Sequence, residues 1–264
     1  MSDIAILTVG IGKRYRIGSF GMHHRLEMIF RKPYHLLLKW RRSAVADAPL
    51  HAGGFSPALQ EVSFSVRQGE TVGIIGANGA GKSALLRILA GVTRPTQGYA
   101  EIRGRVSSML DVGTGFHPEL TGKENIYLSG AILGLKKKVI DEKFQDIVLF
   151  SGLESFLEAP VKKYSSGMCV RLAFAIAAQL QPKIMLVDEV LSIADLAFKE
   201  KCVAKLQEMG AGGCTILLVS HDMSIIRMLC PRTILLDQGK ILKDGATEEI
   251  LDYYALHFRS LVKP

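Results

Sequence analysis

Nowhere in the 264 residues does an apolar run approach the ~20 residues that cross a bilayer, so no membrane span is predicted. Met1-Ser2-Asp3-Ile4 lacks the basic region and apolar stretch of a secretory leader, and none is expected. Cysteine is scarce. Cys169, Cys202, Cys214 and Cys230 are scattered with no C-x-x-C pair, which fits reduced cytosolic thiols better than a disulfide frame or a zinc site. No internal repeat or low-complexity tract interrupts the chain. Acidic residues are nearly missing from one region: between Arg16 and Arg42, Glu27 stands alone against seven Arg or Lys. Most of the net charge of +8 arises there, pointing to an anionic partner such as lipid headgroups, nucleic acid or an acidic substrate. What remains is ordinary for a soluble globular protein, with 48% apolar and 22% charged residues. The length suits one large domain, with or without a small appendage.

The most specific stretch is Gly76-Ala77-Asn78-Gly79-Ala80-Gly81-Lys82-Ser83, a G-x-x-x-x-G-K-[ST] motif. The apolar run Thr71-Val72-Gly73-Ile74-Ile75 precedes it and Ala84-Leu85-Leu86-Arg87-Ile88-Leu89-Ala90 follows, giving strand, turn and helix. Gly76, Gly79 and Gly81 let backbone N–H groups, including that of Asn78, converge on a polyphosphate. The helix begins with its positive end toward the same anion. Lys82 is expected at the β- and γ-phosphates, and the Ser83 hydroxyl at Mg²⁺. The motif predicts binding of a nucleoside triphosphate.

Along the chain, residues 4–9 and 59–66 read as strands, as do short segments at 99–102 and 106–110. Between them, 17–57 is an insertion of basic and apolar residues that Pro33 divides into two short pieces read as helical, with an exposed linker over 44–57. From about 119 to 160 the periodicity is helical with no strand signal, predicting a helical subdomain inserted into an α/β core. A helix at 168–181 follows. Residues 184–187, and 215–219 after its leading Thr215, are apolar runs typical of central parallel strands. A helix from 223, a hairpin and a last helix from 247 complete the pattern.

Two strand ends carry chemistry. Val187-Asp188-Glu189 offers adjacent carboxylates, with Asp188 expected in the metal shell and Glu189 as general base for a water. Ser220-His221-Asp222 ends the other apolar strand, where a neutral His221 imidazole would hold the γ-phosphate and the water. Tyr164-Ser165-Ser166-Gly167-Met168 opens a helix and reads either as a second anion-binding N-terminus or as a plain N-cap.

The phosphate loop, residues 164–168, residues 184–189, Ser192-Ile193-Ala194-Asp195 and His221 together resemble the ABC transporter ATPases in order and spacing. The resemblance covers most of residues 4–15 and 58–250. It implies a RecA-like α/β core with an antiparallel β subdomain and an inserted helical subdomain. It further implies ATP and Mg²⁺ as ligands and a head-to-tail homodimer, in which Ser165, Ser166 and Gly167 of one copy complete the phosphate site of the other. Asp195 is similar to the Asp of the loop crossing that interface, and Tyr15 to the aromatic that stacks on adenine. More narrowly, Tyr-Ser-Ser-Gly-Met, residues 113–122 and the basic insertion after Lys13-Arg14-Tyr15-Arg16 resemble the branch exporting O-antigen, capsule and teichoic acid. That implies an integral membrane permease as partner, a lipid-linked polysaccharide as cargo and a place at the cytoplasmic face of the inner membrane. An ABC ATPase serving a drug, lipid or ion transporter shares the core. A soluble relative acting on nucleic acid is disfavoured, because tandem ATPase domains and long coiled coils are absent; no nucleic acid partner is expected.

The pattern departs from the family at one functional point. No glutamine occurs between Gln97 and Gln145, where the family places one that touches Mg²⁺. Asp111, Val112 or Gly113 falls there, and Asp111 is the candidate oxygen ligand. The chain reaches only Pro264, so no C-terminal carbohydrate-binding domain is expected. The insertion 17–57 reads equally as a membrane-interface or substrate-entry element and as a solvated surface loop.

Overall fold

The computed structural model describes residues 3–16, 38–39, 55–110, 115–189 and 195–258. Most of the 17–57 insertion, Asp111 to Gly113, and Ser192 to Ala194 lie outside the described residues.

Two sheets organise the chain. The first is antiparallel, in the order β2-β5-β1-β3. β1 (Ile4–Arg16) pairs with β3 (Phe55–Arg67) along its whole length and with β5 (Gln97–Ile102) on its other edge. β2 (Leu38–Lys39) adds a short outer rung to β5. β1 runs seven residues beyond its predicted end. Register shifts between Thr8 and Lys13 carry it past Gly10 and Gly12, the residues that in sequence look like a stop.

The second sheet has the order β10-β9-β4-β8-β7-β6. β4 (Thr71–Ile75), β6 (Val106–Met109), β7 (Ile184–Asp188), β8 (Thr215–Val219) and β9 (Arg232–Asp237) are parallel, and β10 (Lys240–Ala246) returns antiparallel on the edge. Parallel strands buried on both faces read as unbroken apolar runs, which is why β7 and β8 were so legible. Their alternate residues feed two cores. Ile184, Leu186, Leu217 and Val219 join α1 (Lys82–Leu89) and the antiparallel sheet. Met185, Val187, Ile216 and Leu218 face the other way, where residues of α4 (Ser166–Gln179), α5 (Leu196–Ala211), α6 (Met223–Leu229) and α7 (Thr247–His257) complete the cluster. A one-residue slip of either strand would exchange the two sets.

A third cluster joins α2 (Gly122–Ile132) and α3 (Lys137–Ser151) through Ile126, Ile140, Ile147 and Val148. Thr121 and Glu124 form a capping box at the start of α2, and a bridge between Thr121 and Pro160 ties the two ends of this helical segment together. α4 serves both sides. Leu172, Ala175 and Ile176 pack on the helical segment, whereas Val170, Phe174 and Ala178 pack toward the parallel sheet.

α5 has no counterpart among the sequence expectations. Its buried side is a single narrow stripe, Phe198, Cys202, Leu206 and Met209, set among lysines and glutamates. The four cysteines are free thiols. Burial pushes Cys214 up to about 11 and Cys230 up to about 12, so both stay protonated and unreactive.

Candidate active site

β4, β8 and β7 are neighbouring parallel strands, so their carboxyl ends open on one edge of the sheet. The phosphate loop, His221 and Asp188-Glu189 leave those three ends side by side, the position where open α/β sheets bind ligands.

The loop is tightly enclosed. Gly76 lies at φ 149°, and a Cβ there would stand 2.1 Å from the carbonyl oxygen of Leu236. Gly81, at φ 103°, would place one 2.4 Å from the carbonyl oxygen of Ala58. Both positions need glycine for backbone angle and for space. Asn78 and Gly79 form the exposed tip. Gly81 caps α1 without a side-chain hydrogen bond, and no acidic residue occupies the first turn, so the positive helix end is left for an anion.

Lys82 is only 5% exposed. Its Nζ donates to the carbonyl oxygens of Gly76 at 2.8 Å and Ala77 at 3.0 Å, and lies 3.7 Å from Glu189 Oε1. Burial lowers its pKa, opposed by the charges of Glu189 and Asp188.

The two adjacent carboxylates serve different partners. Asp188 ends β7, buried, and accepts a hydrogen bond from the Ser83 hydroxyl. Burial raises its pKa more than that hydrogen bond lowers it. Its Oδ1 is buried with no hydrogen-bond partner. An orphaned carboxylate oxygen beside a serine hydroxyl is a hard-oxygen donor pair, and it fits Mg²⁺, which takes few protein ligands and fills its octahedron with phosphate oxygens and water. Among the described residues no cluster of three or more His, Cys, Asp or Glu offers a closed metal cage. Asp111, the other expected oxygen donor, lies outside the described residues.

Glu189 adopts φ 25°, a conformation that costs a non-glycine residue roughly 1–3 kcal/mol and tends to persist where function holds it. Its backbone N–H donates to the carbonyl of Val219 on β8. Its Oε1 stands 2.8 Å from His221 Nε2. Glu189, Lys199, Ser220, His221 and Asp222 line, with the apolar Val187, Leu218, Val219 and Ile225, a cavity of about 60 Å³, large enough for water. A larger cleft of about 550 Å³ around Arg67, Glu70 and Arg232 lies at the opposite ends of the strands and has no part in this chemistry.

The remaining sequence candidates sit apart from this cluster. Ser165 caps α4, its Oγ accepting from the Met168 N–H at 3.2 Å; it and Ser166 are exposed. A Cβ added to Gly167 would meet nothing closer than 3.9 Å. Asp195 caps α5, accepting from the Phe198 N–H at 2.8 Å, and is exposed. Tyr15, near the end of β1, is 41% exposed with Lys13 Nζ 5.2 Å from its ring centroid. Lys13 is itself anchored on Thr93 and Arg94. Lys199, paired with Asp222 at 2.7 Å, is absent from the sequence candidates, because the helix that carries it has only a thin apolar stripe to mark it. Asn125 was missed too: fully buried, it accepts from the His117 N–H and donates to His117, Leu120 and Thr121 carbonyls, fixing the loop that follows 111–114. Thr121-x-x-Glu124 flanking it was the available signal.

The family model described as ABC transporter matches residues 59–192. The chain is 45% identical over 197 residues to an O-antigen export system ATP-binding protein of Klebsiella pneumoniae, covering 75% of this chain and 80% of that protein. It is 40% identical over 202 residues to a teichoic acids export ATP-binding protein of Bacillus anthracis, covering 76% of this chain and 37% of that one. Among solved structures, the ATP binding subunit of an ABC transporter superposes with a TM-score of 0.69 at 24% identity, covering 78% of this chain and 94% of its own. A dimeric post-hydrolysis ATP-binding cassette bound to ADP and Pi gives the same TM-score of 0.69 at 21% identity, covering 92% and 98%. With the phosphate loop, the paired strand ends and the family match agreeing, this chain belongs to the ABC transporter family and is one of its ATPases.

Proposed function

We propose that this chain is the motor subunit of an exporter that moves a lipid-linked polysaccharide of the O-antigen or teichoic acid kind across the cell membrane. It would work as a homodimer at the cytoplasmic face, beneath an integral membrane permease. The observation that carries the catalytic part is the contact of Glu189 with His221 at 2.8 Å, beside a buried Lys82. In this reading Glu189 accepts the proton of a water as its oxygen bonds to the γ-phosphorus. The bond to the β-phosphate bridging oxygen breaks, releasing ADP and phosphate. His221 holds Glu189 and the water in line. Lys82 and the backbone N–H groups around Gly76, Asn78, Gly79 and Gly81 neutralise the β- and γ-oxygens. Ser83 and Asp188 would hold Mg²⁺, which when bound neutralises phosphate charge and orients the leaving group. Tyr15 stacks on the base. Ser165, Ser166 and Asp195, all exposed, and the half-buried Gly167 act on a second copy.

The cargo assignment rests on the names of the relatives and on Tyr164 to Met168. Both relatives cited are polysaccharide export ATPases, and the signature differs from Leu-Ser-Gly-Gly-Gln in the way that branch differs. The helical segment 119–160 and the basic insertion 17–57 are the parts we assign to the permease side. The test is a host strain lacking this chain. Polysaccharide should accumulate in the cytoplasm, the native chain should restore surface polymer and Glu189→Gln should not. Normal surface polysaccharide without the chain would overturn the cargo assignment.

A further inference from the structure

Lys199 stands one turn into α5, whose cap is Asp195. Its backbone N–H donates to the Asp195 carbonyl at 2.9 Å. Its side chain leaves the helix and reaches Asp222 Oδ2, with Nζ at 2.7 Å. A cation near the positive end of a helix is electrostatically unfavourable there, so α5 itself does not account for it. The pair is also only partly buried, and pairs of that kind contribute little to stability.

Its geometry is more informative. Asp222 is committed on every side: Oδ1 accepts from the N–H groups of Ser224 and Ile225, Oδ2 takes Lys199, and its backbone N–H donates to Ser220 Oγ. His221 lies inside that knot, with Nε2 on Glu189. Lys199 lines the same 60 Å³ cavity as Glu189 and His221. The pair therefore ties the start of α5 to the turn that aims the imidazole.

We infer that Lys199 is a positioning residue for ATP hydrolysis: through Asp222 it fixes the turn that presents His221 to Glu189, and it links that turn to the helix start at Asp195. The inference rests on the reading in which Glu189 and His221 attend the attacking water. In that arrangement Lys199 acts through Asp222, so its loss acts on orientation. Misplacing a catalytic group by a fraction of an ångström costs rate more than affinity.

The test is Mg²⁺–ATP turnover by the full chain for Lys199→Met, Lys199→Gln and Lys199→Arg, with Glu189→Gln alongside and a thermal melt of each. The Met and Gln variants should lose about tenfold in kcat with KM for ATP within about twofold, the signature of lost orientation. Arg, which can reach the same carboxylate, should restore most of the rate. Melting midpoints should match the native chain. Unchanged kcat in Met and Gln, a loss confined to KM, no rescue by Arg, or a midpoint falling in step with activity would each overturn the inference. Full turnover in Glu189→Gln would instead overturn the underlying site. A dead Glu189→Gln beside a normal Lys199→Met would overturn the Lys199 role alone.

Discussion

Two glycine-containing helix starts in this molecule are built in opposite ways. At α1 the chain encloses its own glycines: Gly76 and Gly81 have no room for a Cβ, Lys82 is buried, and the neighbouring strand ends bring Asp188, Glu189 and His221. At α4, Ser165 and Ser166 are exposed, Gly167 has open space around it, and the Ser165 hydroxyl turns back to cap its own helix. Packing within one chain explains the first glycines. It does not explain Gly167, which an alanine could replace without a clash. A glycine that its own fold does not need is what the role proposed for it toward a second copy calls for.

The sharpest way to break this contrast is at the base. Glu189→Gln should lower kcat by about 10³-fold with nucleotide binding retained, the scale of a lost general base. Phosphate release under single-turnover conditions reads it, and unchanged turnover would remove Glu189 from that role. Next come the glycines. Gly76→Ala combines a disfavoured backbone angle with a 2.1 Å clash against backbone and should cost about 3 kcal/mol or more, read by denaturant midpoint. Gly167→Ala should leave the fold unharmed or stabilise α4 by up to about 1 kcal/mol, yet depress ATP turnover. If both substitutions unfold the chain, or neither touches activity, the two helix starts are not the different devices described above.

Asp188 gives the smallest and most specific effect. Burial raises its carboxyl pKa, so the native state binds the proton more tightly than the unfolded state does. Stability from this group is therefore greatest at low pH and declines as pH rises from the unfolded carboxylate value through the raised native one. Asp188→Asn removes the buried charge. It should raise the melting midpoint in the absence of metal at neutral pH and abolish the added stabilisation by Mg²⁺–ATP, measured by thermal shift. A lowered midpoint together with intact Mg²⁺-dependent stabilisation would contradict both the burial cost and the metal role.

Much of the core was legible because its signals are local. The apolar runs of β7 and β8, the glycines of the phosphate loop and the Pro- and Gly-bounded turns each follow from one short stretch. α5 was not legible. Its buried stripe of Phe198, Cys202, Leu206 and Met209 is thin, and only the packing of α4 and β8 against it reveals which side is inside. The true length of β1 was likewise hidden, since bulges carried on by two flanking strands leave no mark in its own residues.

By itself, then, the chain's sequence determined the phosphate loop, the adjacent carboxylates Asp188 and Glu189 and the serine–glycine helix start, because each is met by a few adjacent residues. Only the tertiary structure decided that β4, β8 and β7 lie side by side, so that Lys82, Glu189 and His221 meet. It also decided that Asp188 turns to Ser83 while Glu189 turns to His221, and that Lys199 reaches Asp222. Strand order and helix placement are set by the burial of many distant apolar side chains at once, and no short stretch of sequence carries that sum.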